Sequence, residues 1–478
     1  MIRMTIEDAI RATDCELVAG DPQGFFEGVS IDSRSVPAGG AFVAFAGERV
    51  DGNRFAAQAL RTGAAVVVLT APADQETLEA AEQTGGAVLR AKDDDGEQFM
   101  LALAEAWRAR NPQWIVVGVT GSVGKTTTKE MLAAGIGAHR RVHATKGNFN
   151  NLLGVPLTLF AASSEDEVLV VEMGMNNAGE ISRIAAAARP NVAVITNIGT
   201  SHIGNLGSRE GIARAKAEVV GGLTGCDACE PTLVLANGDD FSDFIQNAFA
   251  EPAGVRVLRV GGADSAIYAA SVDLNDDGLP SVVVRTDAEE ELRGTLLLPG
   301  RAMVLDLLIA LGAIKALGLS CEPALRAICG MRPARMRMEV RQEGSSARVI
   351  DDTYNASPSS MAAALDVLCS MRCDGRRVAV LGQIGELGDE SARLHALVGA
   401  YAAAKPLDML VLIGTGDIRH MADAALTMGF SEDKLERFDT VDEAVRVIAP
   451  LLRPEDLVLA KASRAAELDM FTRGVLDA

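Results

Sequence analysis

Short apolar runs alternate with longer amphipathic stretches along this chain, and their spacing sorts it into three segments. Residues 1–90 hold brief alternating runs broken by turns: 28–36 (GVSIDSRSV), 39–45 (GGAFVAF), a helix-like Phe55–Arg61 and 64–69 (AAVVVL). This pattern predicts a small mixed α/β unit. Asp93–Arg110, with apolar residues at Phe99, Leu101, Leu103, Ala106 and Trp107, predicts a helix leading into residues 91–325. There the runs Ile115–Val119, Val168–Val171, Val192–Thr196 and Leu233–Leu235 are continuously apolar, as strands covered on both faces must be. Val255–Val260 and Ser281–Arg285 are expected as an antiparallel extension. Residues 326–478 alternate again: strands at Arg348–Asp351, Val378–Leu381, Met409–Ile413 and Leu457–Lys461, helices over Ser359–Met371 and Ser391–Ala404. Strand–helix alternation on this scale implies right-handed crossovers and largely parallel sheets. No internal repeat or low-complexity tract interrupts it.

Length and charge narrow the classes. A chain of 478 residues exceeds one ordinary core, so several domains are expected. The net charge of −20 argues against a nucleic-acid partner and against an anionic membrane surface. Val304–Leu319 is the most apolar stretch, but Asp306 and Lys315 interrupt it, so no membrane insertion is expected. Arg3, Glu7 and Asp8 break the start as a signal peptide, which points to the cytoplasm. The pairs Cys226/Cys229 and Cys369/Cys373 lack a knuckle-like, Gly-rich context, so free reduced thiols are expected rather than a four-thiolate zinc site.

The chemistry concentrates at Thr120–Glu130 (TGSVGKTTTKE), directly after the run Trp114–Val119. A strand, a glycine turn and a Lys-Thr-Thr helix start together make a phosphate-binding loop. Gly121, Ser122, Val123 and Gly124 bring backbone N–H groups onto phosphate oxygens. Lys125 reaches the terminal phosphates, Thr126 offers a hydroxyl to Mg²⁺, and Thr127 continues the helix start. The strict pattern has Gly where this chain has Val119, so the loop is a variant. In parallel sheets ligands bind beyond the carboxyl ends of the strands. Glu172 ends one strand, and Asn197 and His202 follow another. A carboxylate, an imidazole and a loop hydroxyl there suit a hard cation. Lys146–Asn151 (KGNFNN) is dense in amides and on composition alone reads as a turn. Lys216, in RAKAEVV, is unremarkable by spacing. Asp351–Pro358 (DDTYNASP) is a polar loop at a strand end, with Arg335 and Arg337 nearby in sequence.

Taken in order, these motifs resemble the Mur ligase family over essentially the whole chain. The resemblance rests on Ser30–Arg34 with Asp51-Gly52, Thr120–Lys129, Gly147–Asn151, Glu172–Gly174 with Gly179–Ile181 and Ala215–Glu218. It continues through Asp351–Pro358, Leu381–Gly388 (LGQIGELG) with His395, and Lys461–Arg464. It implies an α/β fold of three domains: a small mixed α/β UDP-muropeptide-binding domain (1–90), a central P-loop ATPase domain with a mostly parallel sheet (91–325), and a C-terminal Rossmann-like doubly wound domain (326–478). It implies a cytoplasmic, ATP-dependent, ADP-forming peptide ligase of peptidoglycan synthesis, acting as a monomer. The pattern is most similar to members that join D-Ala-D-Ala to UDP-N-acetylmuramoyl-tripeptide through an acyl phosphate.

By the same resemblance, Ser33 and Arg34 match the uridine-diphosphate motif. Lys125 and Thr126 match the ATP loop, and Glu172 and His202 match magnesium ligands. Lys216 matches a lysine that is carbamylated to hold a second Mg²⁺. Asn148 and Asn151 fall in a muropeptide-facing loop. Arg335 and Asp351 match positions brought to ATP, and Tyr354 and Asn355 lie near the nucleotide and the incoming amino-acid substrate. Some positions depart from the pattern. After Pro299-Gly300 the family has His-Asn, then another Asn, near adenine; here stand Ala302, Met303 and Asp306. Asn177, Gln383, Ala334 and Ala462 are further departures. The alternative within the family is the preceding ligase, which adds the third amino acid, but its Asp-Asn-Pro-Arg motif is absent here. Folate-type polyglutamate ligases share the core without the N-terminal UDP domain. An ATP-binding scaffold of the wall machinery is the reading from a different class.

Overall fold

The computed structural model describes residues 1–47, 50–287 and 290–477. Its centre is a nine-stranded sheet. In spatial order the strands are Glu291–Thr295, Pro280–Thr286, Ile267–Leu274, Arg256–Val260, Thr232–Ala236, Val192–Ile195, Ile115–Thr120, Val168–Glu172 and Val142–Ala144. The strands from Val142–Ala144 across to Arg256–Val260 pair in parallel. Only the far edge is antiparallel, from Ile267–Leu274 onward. This corrects the expectation for Val255–Val260, whose strand continues the parallel set against Thr232–Ala236. The inner strands are buried throughout, as their unbroken apolar runs require.

Helices Lys125–Gly137 and Ala302–Ala316 cover one face of this sheet. The second is apolar on nearly every side and is buried from Leu307 to Ile314, the mark of an interior helix. Gly135 lets the two helices close up, since a Cβ there would meet Ile314. The opposite face is covered by helices that include Gly96–Ala109 and Glu180–Ala188. Trp114, fully buried, stands edge-on to Trp107 with centroids 6.1 Å apart and donates Nε1–H to the Ser163 carbonyl. Full burial of each such side chain stabilises the fold by roughly 1.5–3 kcal/mol.

Before this sheet comes a five-stranded one of order Glu16–Ala19, Ala87–Arg90, Val66–Leu69, Ala41–Val43, Val29–Ser30, parallel except for its first strand. After it comes a six-stranded sheet of order Glu339–Arg341, Arg348–Asp351, Leu457–Lys461, Arg377–Gly382, Met409–Ile413, Leu435–Phe438. Only its first strand is antiparallel. The carboxyl ends of the central sheet and of this C-terminal sheet face one cleft of about 900 Å³.

Candidate active site

The phosphate loop follows the strand Ile115–Thr120. Val119, the departure from the strict pattern, is a fully buried strand residue paired with Glu172 and Val194, so it belongs to the sheet rather than to the turn. Gly121 and Gly124 carry the turn, with φ of +146° and +86°. A Cβ on Gly121 would lie 1.8 Å from Thr196 Oγ1, and one on Gly124 would lie 2.5 Å from Asp306 Oδ1. Neither position accepts a side chain. Asn197 braces the loop from the next strand: its Oδ1 accepts from Val123 N at 3.1 Å and its Nδ2 donates to Val123 O at 2.8 Å. Lys125 folds back so that Nζ donates to the carbonyls of Gly121 and Ser122. Burial pulls its ammonium below the ordinary lysine range, partly opposed by Glu172.

Glu172 sits at the centre, 1% exposed. Thr126 Oγ1 donates to its Oε2 at 2.9 Å and Asn150 Nδ2 donates to its Oε1 at 2.8 Å. Its backbone N–H is held by Thr145 Oγ1. Asn150 was missed in the sequence, although it lies between the two asparagines singled out there. Asn148 and Asn151 also line the cleft, and Asn151 Oδ1 holds the backbone N–H of Gly154 at the start of the helix Gly154–Ala161. His202, with φ of +62°, lines the cleft nearby, and its Nδ1 lies 2.8 Å from Glu386 Oε2 without the alignment of a hydrogen bond. The imidazole still draws the Glu386 carboxyl below its usual range, against the opposing effect of burial. Lys216 is buried in the helix Arg209–Ala217, and among the described residues no carboxylate pairs with it. Burial, reinforced by Lys125, drives its ammonium well below the ordinary lysine value.

The C-terminal sheet closes the other side of the cleft. Tyr354 and Asn355 line it. Two expected residues do not. Arg335 is exposed, away from the cleft lining; the left-handed residues Met336 and Met338 turn the chain so that Arg337 enters instead, its guanidinium 3.9 Å from the Tyr354 ring centroid. Asp351 ends its strand buried, bonded to Thr353 Oγ1 at 2.6 Å. Asp352, one residue on, faces the cleft and pairs with Lys461, which also donates to Asn355 O. His395 is wholly buried: Nε2 accepts from Ile384 N and Nδ1 meets Ser391 O, so this imidazole is neutral and shapes the loop containing Glu386. Ser33 and Arg34 lie apart from the cleft, in the N-terminal sheet region. There Arg34 forks onto Asp32, holding that carboxyl down at about 2.

A glycine loop under a helix start, a buried carboxylate tied to the loop threonine, and basic side chains supplied from a second sheet define a nucleotide-dependent enzyme of the phosphate-loop class. Family models agree in order along the chain. The Mur ligase catalytic domain matches residues 26–108, the Mur ligase middle domain 119–314, and the Mur ligase glutamate ligase domain 336–464. The chain belongs to the Mur ligase family. It is 32% identical to the UDP-N-acetylmuramoyl-tripeptide–D-alanyl-D-alanine ligase of Bacillus subtilis, over 95% of this chain and 94% of that one. It superposes on MurF from Acinetobacter baumannii with a TM-score of 0.88 at 31% identity, covering all of both chains. MurF from Thermotoga maritima in complex with ADP gives 0.77 at 25% identity, over 94% and 97%. Among the described residues no helix is long and apolar enough to cross a membrane.

Proposed function

We propose that this chain joins D-Ala-D-Ala to UDP-N-acetylmuramoyl-tripeptide, converting ATP to ADP and phosphate. The observation that carries the reading is the convergence of Lys125, Glu172, Arg337 and Lys461 on one cleft, in a chain similar along its length to ligases of that name. A carboxylate is a poor electrophile, so the γ-phosphoryl group passes first to the tripeptide's terminal carboxylate. The amine of the dipeptide then attacks the acyl phosphate, phosphate leaves, and the amine's proton is lost to solvent. Lys125 and Arg337 supply positive charge where it builds on the transferring oxygens. Asn148 and Asn151 contact the muropeptide, Ser33 and Arg34 hold its UDP end, and Tyr354 and Asn355 face the incoming dipeptide. In this reading residues 1–90 bind UDP-muropeptide, 91–325 bind ATP and 326–478 complete the nucleotide and dipeptide sites.

The donor set fits Mg²⁺. Among the described residues the Glu172 carboxylate, which is buried, is bonded by a hydroxyl and an amide, a charge that a hard cation complements. Thr126, Glu172 and His202 would hold one ion and a carbamylated Lys216 a second, together neutralising phosphate charge. Lys216 is suited to carbamylation because burial disfavours its ammonium, and the neutral amine is the form that adds CO₂ and releases a proton. The enzyme is cytoplasmic and acts as a monomer.

The test is phosphate release from MgATP with UDP-muramoyl-tripeptide and D-Ala-D-Ala, omitting each in turn. Release that needs both, with a UDP-muramoyl-pentapeptide product, is the expected result. Turnover only with the dipeptide precursor and a free diamino acid, or nucleotide binding with no release, would replace this reading with the preceding ligase or with a scaffold.

A further inference from the structure

Asp306 is a carboxyl group in an unusual place. It lies on the buried helix Ala302–Ala316, only 6% exposed, on the cleft wall directly behind the phosphate loop. Its Oδ1 and Oδ2 would stand 2.5 and 3.0 Å from a Cβ on Gly124, the last loop residue before Lys125. Among the described residues no ion pair or aligned side-chain hydrogen bond holds it, and the Thr128 hydroxyl stands nearby.

The charged groups on the surrounding elements are committed elsewhere. On the helix Lys125–Gly137, Lys125 points to loop carbonyls and Lys129 is tied to Glu130 and Thr145 O. On the neighbouring strands, Arg259 pairs with Asp243 and Arg285 with Glu291, while Arg256 and Asp273 are exposed. On the helix Cys321–Cys329, Arg326 pairs with Glu322, and Lys315 on Asp306's own helix pairs with Asp287. A carboxylate ionised here would be buried without a counter-charge, beside a loop whose purpose is to receive phosphate anions.

We propose that Asp306 carries a proton at neutral pH and that the phosphate loop accepts nucleotide in that neutral state, so that ionisation of Asp306 is a built-in alkaline brake on nucleotide binding. A neutral carboxylic acid donates as well as accepts a hydrogen bond and brings no charge to the loop. An ionised one adds a negative charge behind the phosphates. Burial pushes this carboxyl up to about 8, which places the transition within reach of experiment. Binding and protonation are then linked: nucleotide favours the protonated acid, and loss of the proton weakens nucleotide to the same degree.

The inference rests on the ATP-site reading, and MgADP separates the two. Its Kd is measured by calorimetry at about pH 7 and about pH 9.5 for the wild-type chain and for Asp306→Asn. If only the protonated form binds, the wild-type Kd rises on the order of 30-fold across this interval. The slope left in the variant is the contribution of all other titrating groups. A slope much smaller in Asp306→Asn than in wild type supports the brake. Equal slopes overturn it, while tight binding at neutral pH leaves the nucleotide site standing. Absence of MgADP binding at any pH would fell the site itself. Should Asp306→Asn fail to fold, Asp306→Ser removes the same charge and is read the same way.

Discussion

At the residue scale, Lys216 and Asp306 illustrate how burial acts on charge: it drives an ammonium's pKa down and a carboxyl's up, disfavouring the charged form of each. For Lys216 the form that burial favours, the neutral amine, is the reactive one. Lys216→Ala is expected to lose at least about a hundredfold in phosphate release, as removal of a transition-state electrostatic group does. Short carboxylic acids should restore part of it by supplying the missing carboxylate. Failure of rescue, with activity unaffected by removing CO₂ from the wild type, would remove the carbamate from the site. For Asp306 neutrality carries a stability cost that depends on pH. Its carboxyl titrates near 3.8 in the unfolded chain and at about 8 when folded, so between these values the folded state binds the extra proton. Stability therefore falls as pH rises from about 4 to about 8 and levels off above. Thermal melts at intervals across this range should show that decline in the wild type and a shallower one in Asp306→Asn. Parallel curves would place the titration elsewhere.

At the scale of elements, the loop is held in shape by its neighbour strand as much as by its own glycines. Asn197 makes two bonds to Val123, and Thr196 Oγ1 makes a third. Removing the Asn197 bonds, each with a net value of about 1 kcal/mol, should raise the KM for ATP in Asn197→Ala roughly tenfold or more while leaving unfolding transitions nearly in place. An unchanged KM would mean that the nucleotide orders the loop unaided. Much of this level was legible in the sequence, because buried parallel strands must be continuously apolar, and Ile115–Thr120, Val168–Glu172 and Val192–Ile195 are. What was not legible depends on direction. Arg256–Val260 alternates buried and partly buried positions, which fits a strand of either sense, and only its pairing to Thr232–Ala236 decides. Asp351 and Asp352 are adjacent carboxylates on opposite sides of a chain of period two, so a shift of one residue exchanges the buried one for the one in the cleft. Arg337 enters in place of Arg335 through two left-handed residues, Met336 and Met338, that no sequence pattern announces. Asp306 did leave a signal: it is the one acidic residue of a helix that is otherwise apolar up to Lys315 in its last turn.

At the scale of the whole molecule, the acyl phosphate of the proposed reaction would have to be kept from water, and the cleft between the central and C-terminal sheets is where it would be enclosed. They also meet away from the cleft, through Asp276 and Asp277 against Arg372 and Arg348, and through the loop after His202. Gly204 N donates to Glu386 O at 3.3 Å, His202 lies against the Glu386 carboxyl, and a Cβ on Gly388 would come 2.7 Å from Gly204 Cα. Backbone against backbone leaves no room for a side chain, so Gly388→Val should wedge this contact open. The consequence is separable from damage to the nucleotide site, because Lys125, Thr126 and Glu172 all lie on the central sheet's side of the cleft. Turnover in Gly388→Val is expected to fall about tenfold or more, through loss of the enclosed geometry, with the Kd for MgADP changed much less. Small-angle scattering should report a larger radius of gyration for the variant with nucleotide bound. If turnover and radius both match the wild type, closure does not run through this contact. If the Kd collapses along with turnover, the C-terminal sheet holds nucleotide directly, and Arg337 and Lys461 become the residues to substitute next.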